Sequence, residues 1–145
     1  MSYSIDANLL LYASDTASPQ HSKARDFLVA RVADPDLLCM TWGSLLAYQR
    51  IATHPSIFAS PLSTDEALSN IQSLLALPRA RVIVEDAGFL DAYIDATRGL
   101  HARGNLVPDA HLATILRQHG VRLIYTADSD FRKFEFLEVV NPLAQ

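Results

Sequence analysis

The 145-residue sequence contains one cysteine, Cys39, so it can close no internal disulfide and build no multi-cysteine zinc site. A reducing compartment, the cytoplasm, is the expected setting. Five glycines and seven prolines are too few for a collagen-like or low-complexity chain, and no apolar run approaches the ~20 residues that cross a bilayer. Met1 to Ala13 lacks Lys and Arg and carries Asp6, unlike a secretory signal. Positive charge is also in short supply. Twelve Lys and Arg stand against 16 Asp and Glu, a net charge of −4, which excludes sequence-blind phosphate binding across a whole face and leaves nucleic acid to be met locally. The five histidines (His21, His54, His101, His111, His119) show none of the close pairings of a zinc site, so they read as surface or packing residues. With no internal repeat and no linker, the chain reads as a single domain, 1–145, half hydrophobic and long enough to bury roughly 70% of its unfolded surface.

What is present is an alternation of strand and helix patterns. Tyr3 to Ile5 is a short apolar strand running through Asp6 into a helix that begins near Asn8. Helical spacing of Ala24, Phe27, Leu28 and Val32 predicts a helix over 21–32, stopped by Asp34-Pro35. A strand fits Leu37 to Thr41, and a helix Trp42 to Thr53, closed by His54-Pro55. Ser63 with Glu66 three residues on forms a capping box, ahead of a stripe of Ala67, Leu68, Ile71, Leu74 and Leu75. Arg81 to Val84 is a β-branched run, and Asp86 suits the N-cap of a helix carrying Phe89, Leu90, Tyr93 and Ile94. Pro108 suits the first position of the next helix, which Gly120 ends. Val121 to Tyr125 and Leu137 to Val140 read as the last strands. Alternation with short connections implies an α/β fold, a three-layer α/β/α sandwich around a mainly parallel sheet of four to five strands.

In such a sheet, ligands bind along the edge where the strands' C-terminal ends lie. Asp6 directly follows the first strand. Asp128 and Asp130 directly follow the strand 121–125, and Asp109 rides on the N-terminus of a helix that returns to that edge. Carboxylates brought together repel, so they either hold protons or share a cation. Oxygen ligands in an open cluster favour Mg²⁺ or Mn²⁺, which suits phosphodiester hydrolysis by an activated water. Each acid taken singly also has a plainer reading, since Asp109 favours a helix dipole, Asp128 and Asp130 suit a turn, and Asp6 could cap a helix. Arg98, His101 and Arg103, with Arg132 and Lys133, could meet an RNA backbone at the mouth of the site or simply be solvated.

Several segments resemble the PIN-domain family, specifically VapC-type ribonuclease toxins: Asp6-Ala7-Asn8, Val107-Pro108-Asp109-Ala110-His111-Leu112-Ala113, His119-Gly120-Val121, Thr126-Ala127-Asp128-Ser129-Asp130-Phe131 and Val140-Asn141-Pro142. The segment Trp42 to Pro55 also resembles one branch of those toxins. The resemblance spans the whole chain in order. It implies a Mg²⁺- or Mn²⁺-dependent endoribonuclease held inactive by a cognate antitoxin, acting in the cytoplasm as a homodimer or larger assembly, with no membrane partner. Carried onto this sequence, Asp6, Asp109 and Asp128 match the catalytic metal-binding acids. Asp130 matches an auxiliary metal acid, Asn8 and Thr126 match polar supports, and Arg50, Arg103 and Arg132 are candidate substrate contacts. One departure stands out. Many members place a further Glu on the helix after the second strand, yet Trp42 to Arg50 holds no acid. The missing group would fall near Ala47 or Tyr48, with Ser44 and Gln49 close by. A catalytically silent PIN-like module that binds RNA or an antitoxin is therefore the alternative expectation. A haloacid-dehalogenase-like aspartyl-phosphate enzyme fits less well, because Asn8 stands where those enzymes have a second Asp.

Overall fold

Side-chain alternation along the strands divides the protein into two cores. Tyr3, Ile5, Leu38 and Met40 face one cluster, while Cys39 and Ile124 face the other, as the two-residue period of a strand requires. A computed structural model, describing residues 1–144, arranges these strands in one five-stranded sheet of order β3-β2-β1-β4-β5, every neighbouring pair parallel. The strands are β1 (Ser2–Ile5), β2 (Leu37–Met40), β3 (Ala80–Val82), β4 (Leu123–Tyr125) and β5 (Glu138–Val140). Helices α1 (Ala7–Ser14), α2 (His21–Ala30), α3 (Trp42–Ala52) and α4 (Thr64–Leu75) pack through Leu9, Ala24, Leu45 and Ala67 into the first cluster. Helices α5 (Phe89–Ala96) and α6 (Leu106–Gln118) pack into the second, which Leu116, Phe131 and Phe134 anchor. This is the expected three-layer sandwich, with position 145 outside the described residues. Among the described residues no helix is long and apolar enough to cross a membrane.

Several boundaries differ from the sequence expectation, each for a local reason. The helix over 21–32 stops at Ala30, and its last turn tightens into a 3₁₀ turn (Arg31–Ala33) while Arg31 pairs with Asp34 at 2.7 Å, leaving Val32 exposed. Thr41 leaves β2 to cap α3, its hydroxyl accepting the Ser44 N–H at 3.3 Å. Asp86 does not cap α5. It folds onto the neighbouring Ala87 N–H, and Gly88, at φ +75°, begins the helix instead. Pro108 sits third in α6 rather than first, a position whose N–H would also lack an intrahelical partner. The third strand covers Ala80–Val82 instead of 81–84, and β4 and β5 start at Leu123 and Glu138, later than the apolar runs suggest. The Ser63/Glu66 capping box forms as expected, with both reciprocal bonds at 3.0 Å.

The strand order has one consequence for chemistry. From β1 the chain winds through α1 to α4 toward β3, then crosses over through α5 and α6 to β4 on the other side of β1. The order therefore reverses between β1 and β4, whose adjacent C-terminal ends open a crevice.

Candidate active site

Asp6 leaves β1 at that crevice, its backbone N–H still bonded to the Tyr125 carbonyl at 2.9 Å. It is the N-cap residue of α1, yet its carboxylate makes no capping hydrogen bond. Instead Thr126, just past β4 and 1% exposed, ties the two strand ends together. Its Oγ1 donates to Asp6 Oδ2 (2.8 Å) and accepts from Asn8 Nδ2 (3.3 Å) and from the Asp128 N–H (2.9 Å). One oxygen of Asp128 accepts the Asp130 N–H at 2.8 Å, capping the 3₁₀ turn Ser129–Lys133. Asp109 enters from the first turn of α6. Asp109, Asp128 and Asp130 each offer a carboxylate oxygen within 4.8 Å of the others. Asp6 stands outside that tight triad but lines the same cavity of about 290 Å³ as Asn8, Asp109 and Asp128.

The electrostatics record the crowding. Burial above all pushes the Asp109 carboxyl from its ordinary 3.8 up to about 7; Asp128, Asp6 and Asp130 raise it further in that order, and Lys133 eases it. Burial likewise raises Asp6, with Asp128 adding to the rise. The Thr126 hydroxyl opposes it, as do the N–H dipoles of Ala7 and Asn8, which lie near the carboxylate without reaching capping geometry. Asn8 Oδ1 is buried without a hydrogen-bond partner among the described residues. Clustered carboxylates, of which Asp6 and Asp109 resist ionising, beside an unpaired buried carbonyl oxygen, form a donor set suited to a hard divalent cation.

The remaining wall comes from α3, and here the sequence reading divides. Ala47 lines the cavity whereas Tyr48 does not: its hydroxyl bonds Ser14 (2.7 Å) and Asn70 (2.9 Å) on the other side of α3. Of the two positions where the resemblance would put a further acid, the one that lines the cavity thus presents a methyl group; Thr41 and Ser44 line it too, and Gln49 does not. Thr41 was not expected there. Its signal was a hydroxyl at the junction of strand and helix, which the strand pattern absorbed. His111 also lines the cavity, although i, i+2 spacing places it on another helical face from Asp109; the cavity is wide enough to meet both. Its Nε2 lies 3.7 Å from Glu85, and its ring packs edge-on against Phe89 at 5.5 Å. Arg50, Arg103 and Arg132 are all exposed, and none lines the cavity.

Known proteins share the sequence pattern and the fold. The family model described as PIN domain matches residues 3–137. The chain is 38% identical over 144 residues to Ribonuclease VapC48 of Mycobacterium tuberculosis, covering 99% of both chains, and 33% identical to Ribonuclease VapC37 of the same species, covering 97% of this chain and 96% of that one. Among solved structures, VapBC2 from Rickettsia felis, bound to a promoter DNA fragment, superimposes with a TM-score of 0.69 at 16% identity, covering 97% and 98% of the two chains. The Sarcin-Ricin loop cleaving toxin VapC20 of M. tuberculosis gives 0.65 at 16%, covering 90% and 92%. These two likenesses concern the fold alone.

Proposed function

This chain belongs to the PIN domain family, and on that premise we propose that it is a VapC-type endoribonuclease, the toxin of a VapBC-type toxin–antitoxin pair, which hydrolyses RNA phosphodiester bonds with the aid of Mg²⁺ or Mn²⁺. The observation that carries the reading is the convergence of Asp6, Asp109 and Asp128 on one cavity. Asp109 and Asp128 would hold the cation together with Asp130, the third member of the tight triad, and with Asp6 from across the cavity. When bound, a divalent ion supplies neutralising charge, a more acidic water and a Lewis acid for a phosphoryl oxygen. Thr126 fixes Asp6 by one carboxylate oxygen and Asp128 by its backbone, so each keeps an oxygen for a ligand without side-chain reorganisation. Asn8, joined to the same hydroxyl, orients its unpaired Oδ1 as a further neutral donor. Arg103 and Arg132, in the segments flanking Asp109 and Asp130, and Arg50, beside the lining residue Ile51, are proposed outer contacts for the substrate.

The proposed location is the cytoplasm, where the thiol of Cys39 stays reduced. A homodimer is supported by exposed apolar surface: Trp42 and Val84 share a wall, Leu46 lies one turn along α3, and the three are 49%, 51% and 54% exposed. The test of function is incubation of the purified protein with structured RNA and Mg²⁺ or Mn²⁺. Asp6→Asn and Asp109→Asn should each abolish cleavage while leaving the fold intact; cleavage unchanged in either would refute the assignment. The second reading, a silent RNA- or antitoxin-binding module, is favoured by the acid-free α3 wall, and its mark is RNA binding by the wild type with no metal-stimulated cleavage.

A further inference from the structure

We propose that a second cavity, bounded by α5, α6 and the chain entering β5, is a phosphate cleft that takes the ribose-phosphate backbone of single-stranded RNA beside the bond being cut. The inference rests on the ribonuclease reading above. The cleft has a volume of about 510 Å³ and lies between the end of α5 and its following turn, Arg117 of α6, and the segment Lys133 to Phe136. Three cations, Arg98, Arg117 and Lys133, line it against two carboxylates, Asp95 and Glu135. That local balance is the reverse of the whole chain, in which 16 acids outnumber 12 bases.

The pairing inside the cleft leaves the cations available. Asp95 is shared by two guanidinium groups, Arg117 at 3.1 Å and Arg98 at 3.6 Å, so one negative charge answers two positive ones. The side chains of Arg98, Arg117 and Lys133 are 75%, 46% and 52% exposed; ion pairs so open to water are weak and give way to a doubly bonding phosphate. Arg117 is already oriented. Its guanidinium carbon lies 4.8 Å from the centroid of the Phe136 ring, and among the described residues only its Nη1 is hydrogen-bonded, which leaves the rest of a five-donor fork for a ligand.

The cleft also adjoins the carboxylate triad, through one contact. Lys133 lines the cleft and stands 3.7 Å from Asp130, one member of the carboxylate triad. A strand with its scissile phosphate at the triad meets Lys133 next, then Arg117 and Arg98, while Leu100 and Phe136 offer an apolar floor to sugars or base faces. The lining chemistry reads backbone and π-faces, so affinity from this cleft is tolerant of sequence and sensitive to salt. An acidic protein segment is the competing occupant; the contiguity with the triad through Lys133 favours RNA.

The experiment measures anisotropy of fluorescein-labelled, mixed-sequence single-stranded RNA in EDTA, from about 50 to about 200 mM salt, so that binding is read without cleavage. The triple variant Arg98→Gln/Arg117→Gln/Lys133→Gln should weaken binding on the order of tens of fold and lower the salt slope by about 2, at ~0.7 per lost phosphate contact. Because Arg117 also packs on Phe136, the double variant Arg98→Gln/Lys133→Gln provides a second measurement, with an expected slope change of about 1.4. An Arg79→Gln/Arg81→Gln control, at the opposite edge of the sheet, should bind as wild type. With Mg²⁺, the double variant should raise KM several-fold with little change in kcat. Unchanged RNA affinity and slope in the triple variant would overturn the cleft, as would equal weakening by the control pair. Loss of labelled polyglutamate binding with RNA binding retained would also overturn it, in favour of a protein occupant. Wild-type protein that binds RNA through these cations yet never cleaves it would sink the ribonuclease reading and leave the cleft standing.

Discussion

Replacing Asp109 by asparagine should make the metal-free protein more stable at pH 8, not less. The carboxyl titrates at about 7 in the folded protein, against 3.8 ordinarily, so between those values the folded state holds more protons than the unfolded one. Its contribution is fully present below about pH 4 and is lost as pH rises through about 7. At ~1.36 kcal/mol per pH unit the ceiling is about 4 kcal/mol; half-burial and solvent screening reduce this to roughly 1–2 kcal/mol. Loss of a negative charge from the first turn of α6 takes back ~0.3–1 kcal/mol, leaving a net gain near 1 kcal/mol, or about 2–5 °C in Tm. Thermal unfolding of wild type and variant in EDTA at pH 5 and pH 8 separates the cases. The gain should be full at pH 8, fall to roughly a third of that at pH 5, where the folded carboxyl is neutral but the unfolded one is ionised, and vanish below about pH 4. Millimolar Mg²⁺ at pH 8 should reverse the order, stabilising wild type alone. A variant destabilised equally at both pH values would refute the electrostatic reasoning, because the aspartate would then be a packing or capping residue.

Thr126→Val keeps shape but strips Asp6 Oδ2 of its donor and Asn8 Nδ2 and the Asp128 N–H of their acceptor; a loss of about 2–4 kcal/mol in urea unfolding is expected, with weaker Mg²⁺ binding by calorimetry and rescue of both by Thr126→Ser. Ala47→Glu should return a carboxylate to the α3 wall and tighten Mn²⁺ binding in calorimetry, and unchanged affinity would show that this wall does not face the cation. Ser63→Ala, at a capping box that lines neither the acidic cavity nor the basic cleft, should cost about 1 kcal/mol in chemical denaturation and leave RNA cleavage unaltered. Trp42→Glu with Leu46→Glu should shift sedimentation toward monomer if the exposed α3 face is the self-association surface.

Much of the architecture was legible because it depends on local periodicity. The Ser63 box, the Gly120 stop at φ +71° and the short apolar runs fix element identity within a few residues of each other in the chain. Boundaries were less legible. Thr41 suits a strand as well as a helix cap, and Asp86 a helix cap as well as a turn, and what decided was which backbone N–H each side chain met. For the same reason, a hydroxyl lining the cavity was hidden inside a strand pattern.

The linear order of residues determined which acids follow which strands, that the sheet is parallel, and that α3 carries no carboxylate, since each of these depends on spacing along the chain. Only the tertiary structure decided that Ala47 rather than Tyr48 meets the cavity, that Thr126 links Asp6, Asn8 and Asp128, and that Lys133 joins the acidic triad to a basic cleft. Those facts depend on distances between segments up to 120 residues apart, as from Asp6 to Thr126, and such distances are set by how strands pair and helices pack rather than by any local preference.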